Sequence, residues 1–443
     1  MDARRVAFEV LLNIITDEAY SNNALTKAFT ACELSAVDMA LVTEIVYGTL
    51  THYQLLDYQL TPFFRGRVKK WVLVLLAMTL YQVRYLTKIP NYAAVDAAVK
   101  LAKLRGGDFN AKMVNAILRN VTTAKLRCVE EIADEATRLA TKYSHPEWVV
   151  RLWIAQFGKA CTVAMLTANN KRAKLAIRTN LTKITTAALS EKLLSEGVVC
   201  LKSALYQEAL VVSKQNPLQT PAFKDGLFYV QDEASMLPAL ALAPAEGARV
   251  LDVCAAPGGK ACHLAQLVGA SGVVLAHDLL APKLARLEEN AKRLGINNIK
   301  ASVCSALELD KLYELASFDY ILVDAPCLGL GILRRHPEAK LFKTPTDLDE
   351  ILKLQQAILQ SASKFLKPGG RLIYSTCTVN KKENQRQVEN FLKTHPDFAL
   401  DLQLARRLPA IFKDKCEAGM LQLFPQDFET DGFFIASITR QSQ

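Results

Sequence analysis

Arg249-Val250-Leu251-Asp252-Val253-Cys254-Ala255-Ala256-Pro257-Gly258-Gly259-Lys260 begins as a short apolar run and ends in a glycine turn that opens onto helical periodicity. Such a run, bounded by Pro and Gly, reads as a buried strand. Gly258 and Gly259 let the backbone approach a ligand closely, and Pro257 stiffens the turn. The same alternation recurs downstream. Gly272 to His277, Lys300 to Cys304, Tyr320 to Val323 and Arg371 to Tyr374 read as strands with helical stretches between them, and Gly432 to Ile438 adds a closing strand. Apolar strands joined by helical crossovers predict a parallel sheet covered on both faces, a Rossmann-like α/β domain over residues 236–443.

At 443 residues the chain exceeds what one hydrophobic core supports, so two or three domains are expected. From Ala3 to about Lys125 apolar residues recur at three- and four-residue spacing, which predicts an all-α domain over residues 1–125, punctuated by Ile89-Pro90-Asn91-Tyr92. Residues 126–235 read as a linker helix followed by a small α+β module. Its strands are expected at Lys174 to Thr179, Val198 to Leu201 and Leu210 to Ser213, with a helix at Ala187 to Ser195.

The formal net charge of +10 favours a polyanionic partner, because neutralising phosphates releases counterions and steers encounter. Basic residues recur along the helical domain at Arg4, Arg5, Arg65, Arg67, Lys69, Lys70, Lys103, Arg105, Lys112 and Arg119. These are either an RNA surface or ordinary solvated helix faces. The ten cysteines are scattered without a C-x-x-C pair or a neighbouring His cluster, which argues against a metal site and a disulfide framework and fits a reducing cytoplasm. The start of the chain carries acidic residues and no signal-peptide core. The longest apolar run, Trp71 to Val83, falls short of the roughly 20 residues a membrane span needs and reads as a buried helix, so no membrane association is expected.

In a doubly wound sheet, ligands sit beyond the C-terminal ends of the strands, where Cys254, Ala255, Ala256, Pro257, Gly258, Gly259 and Lys260 form the first loop. Asp278, about 20 residues past the glycines at the end of the second strand, can hydrogen-bond both ribose hydroxyls. The loop lacks the G-x-G-x-x-G order of a pyrophosphate site. An adenosyl group without a pyrophosphate fits better, which points to S-adenosyl-L-methionine. Asp324 and Cys327 follow the fourth strand and Cys377 follows the fifth. With a strand order of 3-2-1-4-5 these side chains converge beside the reactive end of the cofactor. Each cysteine could instead be an inert core residue, the common fate of a free thiol. Two at matched strand ends suggest covalent chemistry.

Together, Cys254-Ala255-Ala256-Pro257-Gly258-Gly259-Lys260, Asp324-Ala325-Pro326-Cys327 and Ser375-Thr376-Cys377-Thr378 resemble motifs I, IV and VI of the RNA (cytosine-5) methyltransferase family. Arg334-Arg335-His336-Pro337-Glu338, Gln231-Asp232-Glu233-Ala234-Ser235 and Asp431-Gly432-Phe433-Phe434 match further stretches of it. Ala3-Arg4, Val46-Tyr47-Gly48-Thr49-Leu50, Val114-Asn115-Ala116 and Leu118-Arg119-Asn120 resemble a NusB-like RNA-binding domain. The combination is similar to the bacterial 16S ribosomal RNA cytosine-5 methyltransferases of the Sun/Fmu type.

The resemblance implies that Cys377 adds to C6 of a cytidine, that Cys327 assists release after methylation and that Asp324 holds the base edge. Lys260 is a candidate for the electropositive neighbour that keeps Cys377 ionised. The family usually carries an acidic residue after the third strand that contacts the adenine amino group. Here Ser305 stands at the matching position, and Leu328 follows Cys327 where a small polar residue is usual. The implied partner is 16S rRNA or a small-subunit assembly intermediate, with the chain a monomer. Two other readings are weighed: an rRNA-binding assembly factor with a relict cofactor fold, and a nicotinamide oxidoreductase. The first is opposed by the joint presence of Lys260, Asp278, Asp324, Cys327 and Cys377, the second by the missing pyrophosphate loop.

Overall fold

A computed structural model describes residues 2–64, 66–87 and 90–442. Arg65 of the basic series and Ile89 of the punctuating stretch lie outside the described residues. The chain divides into two compact units, Met1–Lys171 with Leu333–Thr344, and Arg172–Ile332 with Pro345–Gln443.

The first unit is helical: Ala3–Asp17, Ser21–Ala31, Ala36–Leu60, Lys70–Tyr85, Asn91–Thr123, Glu135–Tyr143 and Glu147–Asn169. Side-chain oxygens start three of these helices. Asp2 accepts from Arg4 N, Ser35 from Asp38 N and Asp134 from Thr137 N, each satisfying an otherwise unpaired first-turn amide. The apolar run read from Trp71 lies in the helix Lys70–Tyr85, which buries Val72 and Val74 through Gln82. The helix Glu147–Asn169 has the length and apolarity of a membrane span, but it breaks at Gly158 (φ +78°) and buries Val149, Val150, Trp153, Met165 and Leu166. Into this unit folds a strap from later in the chain, Leu333–Thr344. Ser21 N donates to the buried Glu338 Oε1 (3.1 Å), Lys340 Nζ to Asn170 Oδ1 (2.7 Å) and Trp148 Nε1 to Lys343 O (3.0 Å). The motif Arg334 to Glu338 thus belongs by packing to the helical unit, a placement that sequence distance conceals.

The second unit carries two sheets. In the smaller one β1 (Leu175–Thr179), β2 (Val199–Lys202), β3 (Ala209–Lys214) and β4 (Phe228–Val230) pair in the order β2-β3-β1-β4, with the helix Thr186–Ser195 between β1 and β2. In the larger, β5 (Arg249–Asp252), β6 (Val273–Asp278), β7 (Ile299–Val303), β8 (Phe318–Asp324) and β9 (Leu366–Thr376) are parallel neighbours in the order β7-β6-β5-β8-β9, the arrangement expected from the sequence. Beyond β9 the sheet turns antiparallel. After β10 (Phe398–Leu400), β11 (Cys416–Glu417) and β12 (Met420–Leu423), the closing strand β13 (Phe433–Arg440) pairs with β9, β12 and β10.

The alternation of side chains along a strand divides the core into two layers. Val250, Val274, Leu322 and Ile373 pack with Leu264, Leu284 and Leu287 of the helices Gly259–Leu267 and Ala281–Leu294. Leu251, Ile321, Val323, Leu372 and Tyr374 pack with Ile358, Leu359, Val388 and Phe391 of the helices Pro345–Ser363 and Gln385–Thr394. Full burial of each aliphatic side chain stabilises by about 2 kcal/mol, so the sheet gives the loops at its C-terminal edge a rigid base.

Candidate active site

The loop after β5 is held by backbone. Ala255 N donates to His277 O (2.8 Å), Gly258 N to Ala255 O (2.9 Å), and the Ala256-Pro257 peptide is cis. Gly258 adopts φ +105°, and a Cβ there would come within 2.8 Å of Leu287 Cγ, so no other residue fits the turn without displacement. At Gly259 a Cβ would lie 3.0 Å from Tyr229 Cε1. Asp278, at the end of β6, accepts from Ala256 N through Oδ2 (3.2 Å) and from Leu280 N through Oδ1 (3.1 Å), which sets its carboxylate directly against the loop. Ser305 follows β7, where its Oγ accepts from Leu307 N (3.2 Å).

At the next two strand ends the other sequence-selected side chains meet. Lys260 Nζ and Asp324 Oδ2 are 2.8 Å apart, and Ser375 Oγ donates to Asp324 Oδ1 at 2.8 Å. Cys327 Sγ and Cys377 Sγ are 3.3 Å apart. Lys260 Nζ also lies 5.3 Å from the centre of the Phe433 ring. Burial disfavours the charge on Lys260, but the Asp324 carboxylate, ahead of Cys377 and Asp252, outweighs it and raises the pKa. The Cys327 thiol is pushed well above its ordinary range, first by its hydrogen bond with Cys377, then by burial and by the charges of Cys377 and Glu383, against an opposing Gly329 amide.

Several residues that the sequence reading did not single out complete the site. Asp252, 1% exposed, has no partner for Oδ2, and burial, ahead of the Asp324 charge, pushes its carboxyl up to about 8. Arg178 of β1 is buried and donates to Gln231 Oε1 (3.0 Å), Gln266 Oε1 (2.7 Å) and Gly259 O (3.3 Å), tying the small sheet to the glycine turn. Glu383 hydrogen-bonds both cysteine loops, and Asn384 the Cys377 loop. Asn384 accepts from Thr376 Oγ1 (2.6 Å) and donates to Thr378 O (3.0 Å). Only the nearness of Glu383 and Asn384 to Cys377 in sequence could have flagged them.

A doubly wound sheet with its ligand loop, acid and paired thiols at one edge is the architecture of a methyltransferase, and comparisons with known proteins agree. The description "16S rRNA methyltransferase RsmB/F" matches residues 239–439, the NusB family residues 1–123, and the RsmF/B-like ferredoxin-like domain residues 145–219. The chain is 40% identical over 445 residues to a probable ribosomal RNA small subunit methyltransferase B of Bacillus subtilis, covering 99% of this chain and 98% of that one. To the ribosomal RNA small subunit methyltransferase B of Vibrio cholerae it is 32% identical, covering 100% and 98%. Among solved structures, PH0851 matches 99% of this chain and 98% of that chain with a TM-score of 0.84 at 26% identity. A methyltransferase homologue from Pyrococcus horikoshii matches 70% of this chain and 100% of that chain with a TM-score of 0.59 at 29% identity. The chain belongs to the ribosomal RNA small subunit methyltransferase B family, and is an enzyme of the methyltransferase class.

Proposed function

We propose that this protein methylates C5 of a cytidine in 16S ribosomal RNA through a covalent adduct between Cys377 and C6, and that its methyl donor is S-adenosyl-L-methionine. The observation that carries the reading is the pair of sulfurs 3.3 Å apart beside the Lys260 and Asp324 ion pair. A buried carboxylate with an orphaned oxygen, Asp252, suits a ligand that brings an ammonium group. The glycine turn and Asp278 suit a nucleoside without a pyrophosphate. When bound, S-adenosylmethionine supplies an electrophilic methyl group. Residues 254–260, Asp278 and Ser305 would hold it.

The roles of the side chains follow from the chemistry of cytosine. C5 is too weak a nucleophile to take a methyl group unaided. Addition of the Cys377 thiolate to C6 moves the C5–C6 electron pair onto C5 and makes that carbon the nucleophile that a bound methyl donor would require. Lys260, whose own charge is held by Asp324, places a positive charge in the same site. Asp324, oriented by Lys260 and Ser375, faces the base edge and stabilises charge that appears on the ring. Transfer of the C5 proton to water and departure of Cys377 from C6 as thiolate, with the Sγ–C6 electron pair, regenerate the aromatic ring, and Cys327 assists that release. A methylated 16S rRNA fragment formed from transcript, purified protein and S-adenosylmethionine, with the added methyl group mapped to cytosine C5, tests the reading. Its absence from rRNA of every assembly stage would overturn it.

A further inference from the structure

We propose that Glu383 is a positioning residue that holds Cys327 and Cys377 in register. The proposal rests on the assignment of those two cysteines to addition and release. One carboxylate oxygen serves the Cys327 loop: Oε2 accepts from Leu328 N (2.9 Å) and from Gln355 Nε2 (3.1 Å), while the same Gln355 nitrogen donates to Pro326 O (2.9 Å). The other serves the Cys377 loop: Oε1 accepts from Thr378 Oγ1 (3.1 Å) and Asn380 Nδ2 (3.4 Å). Two of the four residues bound, Leu328 and Thr378, are thus the immediate successors of the two cysteines. The backbone is tied as well, since Tyr374 Oη donates to Glu383 O (2.8 Å) and Gly331 N to Cys377 O (3.0 Å).

Glu383 is fully buried. A carboxylic side chain without solvent persists where its acceptor capacity is used, and here four donors from three segments of chain converge on it. Burial pushes its carboxyl up, against the Leu328 amide and the Thr378, Gln355 and Asn380 side chains that favour the ionised form. An apolar residue would fill the volume. Only an acceptor-rich group satisfies Leu328 N and Thr378 Oγ1 together, and it thereby fixes the separation of the sulfurs beside them. A glutamine keeps the shape but presents donors where one pair of donors already points, so the clamp opens on one side.

The test compares Glu383→Gln with the parent enzyme in two ways. The first does not depend on methylation. In a buffer of oxidised and reduced glutathione, closure of a Cys327–Cys377 disulfide, with reduction of one oxidised glutathione to two thiols, measures the effective concentration of one sulfur at the other. Glu383→Gln is expected to lower it at least about tenfold at unchanged adenosylmethionine affinity. The second is steady-state methylation of rRNA: kcat is expected to fall about tenfold or more with KM held within about threefold, the pattern of a group needed after binding. An unchanged disulfide equilibrium overturns the proposal, as does a loss confined to KM. If the disulfide equilibrium shifts but neither protein methylates rRNA, the clamp stands and the proposed reaction falls. Should Glu383→Gln not fold, Thr378→Val removes one arm only, and it must still lower the disulfide equilibrium for the proposal to survive.

Discussion

Cys327 holds its sulfur 3.3 Å from that of Cys377, although 50 positions separate them in sequence. Parallel pairing of β8 with β9 makes this possible, because Asp324 lies opposite Ser375 and the two loops leave the sheet side by side. The hydrogen bond between the sulfurs keeps a proton on Cys327. The two thiols thus occupy one site, and the proposed reaction gives them unequal parts.

That inequality gives the first prediction. Cys377→Ala should lower methylation by at least about 1000-fold, since the adduct cannot form without its nucleophile. Cys327→Ala should leave addition intact and accumulate protein covalently bound to rRNA, visible as a shifted band on a denaturing gel. Normal turnover by Cys327→Ala, or residual methylation by Cys377→Ala, would sink the division of roles.

Ser305 gives the second. Ser305 is neutral where the resembled family carries an acid, and a charged acceptor improves on a hydroxyl by about 1 kcal/mol. Ser305→Asp is therefore expected to tighten adenosylmethionine binding about fivefold by calorimetry. Unchanged or weaker binding would mean that another residue already makes the contact.

The elements that position the site were legible because each is short, strongly apolar and bounded by turn residues. β5 and β6 appear within a residue or two of the runs read at Arg249 to Val253 and Gly272 to His277. Convergence of Asp324, Cys327 and Cys377 followed from the assumed strand order 3-2-1-4-5, whereas Lys260 was read only as a candidate neighbour of Cys377. Asp252 escaped notice because its consequence depends on burial, which the pattern of a strand end does not reveal. Arg178 escaped because its partners Gln231, Gln266 and Gly259 are brought to it by tertiary folding. The strap at residues 333–344 escaped for the same reason: no local signal tells a stretch inside an α/β domain to pack Leu341 and Phe342 against a helical core far earlier in the chain.

Asp252 gives the third prediction. Its carboxyl is raised to about 8 in the folded protein against about 3.9 in an unfolded chain. Between these values the folded state holds a proton that the unfolded state has lost. The stability contributed by the neutral form is therefore complete below about pH 4 and is lost as pH rises through about 8, at up to about 1.4 kcal/mol per pH unit. Asp252→Asn, neutral at every pH, should make the ligand-free protein gain on wild type by about 4 kcal/mol between pH 5 and pH 8, read from paired denaturant melts. A constant difference across that range would show that Asp252 is ionised in the fold.

The helical unit gives the last prediction. Lys69, Lys70, Lys112 and Arg119 are exposed, and the proposed reaction, in which a base is unstacked before a thiolate reaches C6, would gain from phosphate contacts away from the reacting atoms. Deleting the helices would not test this cleanly, because Leu341 and Phe342 of the strap would lose the core they pack on. Replacing the four basic residues by Gln keeps the fold and removes only charge. If they grip rRNA, each lost phosphate contact lowers the slope of log binding constant against log salt by about 0.9 on duplex regions, so a drop of about 2 or more is expected, with weaker rRNA binding and unchanged adenosylmethionine affinity. The same affinity and the same salt slope in the quadruple variant would instead mark these residues as an ordinary solvated surface.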